Sequence, residues 1–204
     1  MLFSTHYQTV SKYSESIYKD KGSKFIACLQ KVESIEEFKV FLNETKKKYP
    51  IAVHYCFAYR IGYDKSILRA NDDGEPSGSA GKPIYNQLLA FDLTNVSIIV
   101  VRYFGGTLLG VPGLINAYKQ SSIDAIKENE IVIKDILEIA KIEFSFEKMN
   151  EVMKVIKENK IKITEQGANE KYELNIEVPF STLTKSKEAF NKIESLVYHY
   201  LQSK

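Results

Sequence analysis

Glycine is confined almost wholly to the front of this chain, so one kind of architecture cannot run from end to end. Of ten glycines, nine lie at or before Gly113 and only Gly167 follows; four of the five prolines also precede that point. These residues mark turns and close backbone approaches. A loop-rich first part is therefore expected, followed by a loop-poor second part. The division is placed near residues 134–135, giving domains 1–134 and 135–204. No Gly/Ser/Pro tract lies there to act as a flexible linker. Charge does not separate the parts: residues 1–136 carry 17 Lys/Arg against 15 Asp/Glu, and 137–204 carry 11 of each.

The first part reads as α+β. Residues 13–19 alternate, turn at 20–23 and return over 24–31, which predicts a hairpin. Ser34 stands three residues before Glu37, a capping-box pair. Ile35, Phe38, Phe41, Leu42 and Tyr49 follow at helical spacing, so a helix is predicted over 35–48, ended by Pro50. Residues 53–61 and 67–70 predict a second strand pair, and 83–91 a short helix. The segment 96–101 (VSIIVV) is the most apolar stretch and predicts a central strand buried on both faces. A further helix is expected after Pro112, running to about residue 127. The second part gives a strand over 137–146, a helix over 147–158, strands over 162–165 and 172–178, a helix over 183–192 and a strand over 196–201. That order, βαββαβ, is the ferredoxin-like arrangement, with helices on one face of an antiparallel sheet.

Composition narrows the function. With 204 residues, 44% hydrophobic and 26% charged, the chain is ordinary globular material. A net charge of +2 excludes a polycation built to coat nucleic acid. No apolar run reaches the roughly 18 residues of a membrane helix, and residues 1–12 lack the core of a signal peptide. Cys28 and Cys56 are too few for a disulfide framework or a metal cluster. A reduced, cytoplasmic protein with no membrane association is expected.

Two segments carry candidate chemistry. In 70–83 (ANDDGEPSGSAGKP), Asp72, Asp73 and Glu75 put three carboxylates within four residues. They can hold a hard cation, present a negative patch to a basic partner, or cap turns in a solvated loop. A phosphate loop is excluded because Pro76 and Pro83 stand where glycine and Ser/Thr are required. A nucleophile elbow is excluded because neither Ser77 nor Ser79 has the flanking glycines. In 101–113 (VRYFGGTLLGVPG), a buried strand leads through four glycines to a helix. Such a turn can bring backbone amides against an anion, or pass closely under a sheet. Arg102 beside Tyr103 and Phe104 can bind RNA by charge and stacking, or form a buried Arg–carboxylate pair. His54, Cys56, Ala58 and Arg60 share one face of a strand. His54 and Cys56 lack an orienting third residue for catalysis and further soft ligands for a metal.

These residues bring a family into view. KGSKFI at 21–26, His54 with AYR at 58–60, DDGEP at 72–76 with AG at 80–81, and VVRYFGG at 100–106 with LG at 109–110 resemble, in order, the motifs of the YigZ/IMPACT family. The second part resembles the small carboxy-terminal domain of its bacterial YigZ branch by topology and position. The resemblance implies a ribosomal protein S5 domain 2-like first domain, also seen in domain IV of elongation factor G. It implies a ferredoxin-like second domain like domain V of that factor.

The eukaryotic branch is associated with translational regulation through a kinase pathway that bacteria lack. What carries over is binding to ribosome, RNA or a translation-associated protein, with neither DNA nor membrane as partner. The contact surface expected for it comprises His54, Arg60, Asp72, Asp73, Glu75, Lys82, Arg102, Tyr103 and Phe104. Of these, Arg60, Lys82 and Arg102 supply phosphate or acidic-partner contacts. No catalytic residue, metal or cofactor is assigned. Two alternatives stand beside it: a metal-dependent hydrolase using Asp72, Asp73 and Glu75 with His54 as acid or base, and a protein-interaction module whose acidic loop meets a basic partner.

Overall fold

The computed structural model describes residues 4–168 and 170–203. In chain order the elements are β1 (His6–Val10), β2 (Ser14–Asp20), β3 (Ser23–Lys31), α1 (Ile35–Lys48), β4 (His54–Ile61), β5 (Ile67–Asn71), α2 (Gly81–Ala90), β6 (Val96–Tyr103), α3 (Gly110–Lys127) and β7 (Ile131–Asp135). Then follow β8 (Leu137–Phe144), a 3-10 turn (Phe146–Lys148), α4 (Met149–Glu158), β9 (Lys162–Ala168), β10 (Tyr172–Pro179), α5 (Leu183–Phe190) and β11 (Val197–Ser203). The chain is a mixed α+β protein that divides into two compact units. One holds Gln8–Ile133; the other holds the residues on either side, up to Tyr7 and from Lys134 onward. β1 pairs with β7, and the division falls inside these two strands.

The larger unit is built on an antiparallel five-stranded sheet in the order β2-β3-β6-β4-β5. β6 is its middle strand and is buried on both faces, which is why its sequence is apolar without alternation. Period-two alternation sorts the side chains. Phe25, Ala27 and Leu29 of β3, Cys56 and Ala58 of β4, and Val96, Ile98 and Val100 of β6 pack against α2 and α3. Ile26, Cys28, Phe57, Tyr59, Ile61, Ile99 and Val101 face the other way, onto Phe38 and Phe41 of α1. α1 begins where the capping box places it: Ser34 Oγ accepts from Glu37 N at 3.1 Å, and the Glu37 carboxylate accepts from Glu33 N at 2.8 Å. α3 starts at Gly110, before the Pro112 from which the apolar periodicity becomes visible.

In the smaller unit the elements β8-α4-β9-β10-α5-β11 form an antiparallel sheet in the order β11-β8-β10-β9. Val152, Val155 and Ile156 of α4 and Phe190 of α5 close its core with Ala140, Ile142, Phe144, Leu174, Ile176 and Val178. Among the described residues no helix is long and apolar enough to cross a membrane.

Candidate functional site

The inward parity of β6 runs Val96, Ile98, Val100 and then Arg102, which puts a cation at the end of an apolar row. A buried cation without a partner is costly. Arg102 meets Glu75, from the loop between β5 and α2: Nη1 donates to Glu75 Oε1 at 2.6 Å, with the two side chains 7% and 3% exposed. Tyr118 of α3 donates its hydroxyl to the same oxygen at 2.7 Å. The guanidinium carbon lies over two rings, 5.5 Å from the centroid of Phe25 and 5.6 Å from that of Phe104. Its Nε is buried with no hydrogen-bond partner among the described residues.

His54 and Cys56 on β4 complete the cluster. His54 pairs with Arg102 in register. Its Nδ1 donates to the Asp73 carbonyl at 2.7 Å, so in the neutral ring Nε2 carries the lone pair. That atom stands 3.9 Å from Glu75 Oε1. The Cys56 thiol donates to the Asp72 carbonyl at 2.9 Å and lies 3.3 Å from the Tyr118 hydroxyl. Burial pushes both the Cys56 thiol and the Tyr118 phenol above their ordinary ranges. Cys56 is therefore a buried thiol and not a ready nucleophile.

The carboxylate loop is held by its own backbone. Asp72 Oδ1 accepts from Ala80 N and Gly81 N at 2.9 and 2.8 Å, and Oδ2 from Gly78 N at 2.9 Å. It thereby caps α2, whose N-cap residue Ala80 has no side-chain acceptor of its own. Burial alone would raise the Asp72 pKa; the N–H groups of Gly78, Gly81 and Ala80 outweigh it and hold the carboxyl below its ordinary range. Asp73 Oδ2 accepts from Tyr55 N at 2.6 Å. Gly74 sits at φ +87° with its Cα hydrogen toward the His54 ring. The three carboxylates thus turn to three different sets of donors. Among the described residues, no three His, Cys, Asp or Glu side chains stand together as a metal site.

Of the nine residues expected on one contact surface, His54, Asp72, Asp73, Glu75, Arg102 and Phe104 gather around the buried network, whereas Arg60 lies at the other end of β4. Glu75 and Arg102 are buried, not exposed, because each is the other's counter-charge; this corrects the expectation that Arg102 reaches a phosphate. Arg60 is drawn to Asp92 Oδ1 at 3.2 Å and to the Leu93 carbonyl at 3.3 Å. Asp72 and His54 are partly buried, and Asp73 is exposed at the loop tip. Lys82 and Phe104 are exposed and Tyr103 is half-buried. Two features escaped the sequence reading. One is Tyr118: it falls within the helix expected after Pro112, which says nothing of its hydroxyl, although a buried tyrosine hydroxyl demands a partner. The other is the contact of Gly105 with the turn before β3: a Cβ on Gly105 would lie 1.9 Å from the Gly22 carbonyl carbon. Two glycines 83 residues apart in the chain touch through bare backbone.

Residues 21–126 match the family model of the Impact N-terminal domain, a stretch that contains every member of the Glu75–Arg102 network. The chain belongs to the IMPACT family. An IMPACT family member of Haemophilus influenzae is 35% identical over 173 residues, 84% of this chain and 82% of that protein. The IMPACT family member YvyE of Bacillus subtilis is 33% identical over 182 residues, 89% of this chain and 81% of that one. A crystal structure of a protein described as hypothetical superposes with a TM-score of 0.76 at 25% identity, covering 98% of this chain and 99% of that one. Family likeness therefore extends beyond the matched domain into the smaller unit.

Proposed function

We propose that the protein regulates translation by binding a ribosomal particle, RNA or a translation factor, and that it does so in the cytoplasm as a binding protein. The observation that carries this reading is the state of the reactive-looking groups. Glu75, Arg102, Cys56 and Asp72 are committed to one another, to Tyr118 and to backbone amides, which serves a rigid scaffold. Lys82 and Phe104 remain at the surface. The strand order β11-β8-β10-β9 supports a ferredoxin-like smaller unit, and with it the likeness to domain V of elongation factor G. The larger unit is correspondingly assigned as S5 domain 2-like, and both assignments are analogies of fold. Co-sedimentation with ribosomes at low and raised salt, with and without nuclease, tests the reading. Salt-sensitive association, weakened by Lys82→Glu with Phe104→Ala, is the expected result. Absence of association at every salt would overturn it.

A further inference from the structure

On the α1 side of the five-stranded sheet, away from the Glu75 network, a groove of about 280 Å³ runs between α1 and the β4–β5 pair. Its floor is aromatic. Tyr55, Phe57 and Tyr59 alternate along β4 and so share one face. The rings of Phe57 and Tyr59 are parallel to within 3° at 6.3 Å, and Phe38 of α1 packs 4.7 Å from each. Its rim is basic. Lys39 and Lys46 stand two turns apart on α1, and Arg69 stands on β5 opposite Tyr59. All three are exposed, and none is in a salt bridge among the described residues. The Arg69 guanidinium lies over Phe57 at 5.8 Å and the Lys46 ammonium over Tyr55 at 5.4 Å. Asp73 is the one acidic residue of the lining, and one of its oxygens is occupied by Tyr55 N.

We propose that this groove binds single-stranded RNA, seating an unpaired nucleotide. The Arg69 guanidinium, supported from beneath by Phe57, is a planar cationic platform on which a base stacks. Lys39 and Lys46 are placed along the opposite wall to meet phosphates. A duplex keeps its base faces inside its own stack and offers nothing to the platform. An acidic peptide satisfies the three cations but leaves the platform unused. The choice of RNA over DNA rests on the translation reading above; the groove itself does not.

The test is fluorescence anisotropy of the full chain with a labelled ten-nucleotide oligouridine between 50 and 200 mM salt. Three cations at about 0.7 counterion each predict a slope of log K against log salt of about −2 or steeper. Lys39→Ala with Lys46→Ala and Arg69→Ala, all at exposed positions, is expected to weaken binding at least about tenfold and to reduce the slope by about 2. Arg69→Lys keeps the charge and loses the plane: the slope holds while affinity falls at least about fivefold. The proposal is overturned if the triple variant binds like the wild type, if Arg69→Lys changes nothing, or if oligoglutamate competes as well as unlabelled oligouridine. Equal binding of oligothymidine overturns the assignment to RNA. Loss of oligouridine binding in the triple variant, with no ribosome association in the wild type, upholds the groove and removes the translation reading. Ribosome association without oligouridine binding does the reverse.

Discussion

Replacing Glu75 by alanine isolates the energetics of the buried network. The substitution strands Arg102, whose side chain is 7% exposed, without a counter-charge. Breaking a buried pair from one side costs about 3–5 kcal/mol. The Tyr118 hydroxyl loses its carboxylate acceptor as well, worth about 1 kcal/mol. A destabilisation of about 4–6 kcal/mol is therefore expected, a large part of the total for a domain of this size. With a urea dependence of about 2 kcal/mol per M, the midpoint falls by about 2–3 M. The two cysteines of the chain, Cys28 and Cys56, are both buried in the larger unit, so thiol labelling during urea unfolding reports on that unit alone. The double variant Glu75→Leu with Arg102→Met removes both charges and is expected to lie well above the sum of the singles. A Glu75→Ala protein within about 1 kcal/mol of the wild type, or strictly additive singles, would refute the argument.

Two further outcomes follow from the loop and the glycine contact. Because the fold holds the Asp72 carboxyl below its ordinary range, its contribution is complete above the unfolded value of about 3.9 and is lost as pH falls through the lower folded value. Asp72→Asn is thus expected to lower thermal stability at pH 7 by about 0.5–2 kcal/mol and to flatten the acid limb below about pH 4, read by melting across pH. Gly105→Ala drives a methyl to 1.9 Å from Gly22 and is expected to unfold the β2–β3 turn region or fail to accumulate. Gly106→Ala, with nothing within 4 Å but φ at +84°, costs only about 1 kcal/mol. Equal melting temperatures for these two variants would contradict the close backbone approach.

Much of this architecture is legible locally. The capping pair at Ser34 and Glu37, the unalternating strand of β6 and the βαββαβ order are each written within a few neighbouring residues, and the structure keeps them. What escaped is what depends on distance along the chain. β1 and β7 are five residues each and pair across some 120 residues, so neither has a pattern strong enough to stand alone. The parity of β6 marks Arg102 as inward-facing, but its partner lies 27 residues earlier in a loop whose three carboxylates look equivalent in sequence. Only the backbone path separates Asp72, which caps a helix, from Glu75, which neutralises a core cation. The groove as a unit gave no signal either, because Lys39, Lys46 and Arg69 come from a helix and a strand that only folding brings together.

The strand order also sets a timetable for synthesis. The middle strand of the five-stranded sheet is the last of the five to be made. When β4 is complete at Ile61, the ribosome must still add 42 residues before β6 ends at Tyr103. At about 5–20 residues per second this takes roughly 2–8 s. Between the emergence of β4 and that of β6 the nascent chain holds β3 and β4 with the edges meant for β6 unpaired. Such edges invite pairing with other chains. Arrival of β6 joins the β2–β3 and β4–β5 halves and carries Arg102 to Glu75, which precedes it in the chain, whereas Tyr118 comes after both.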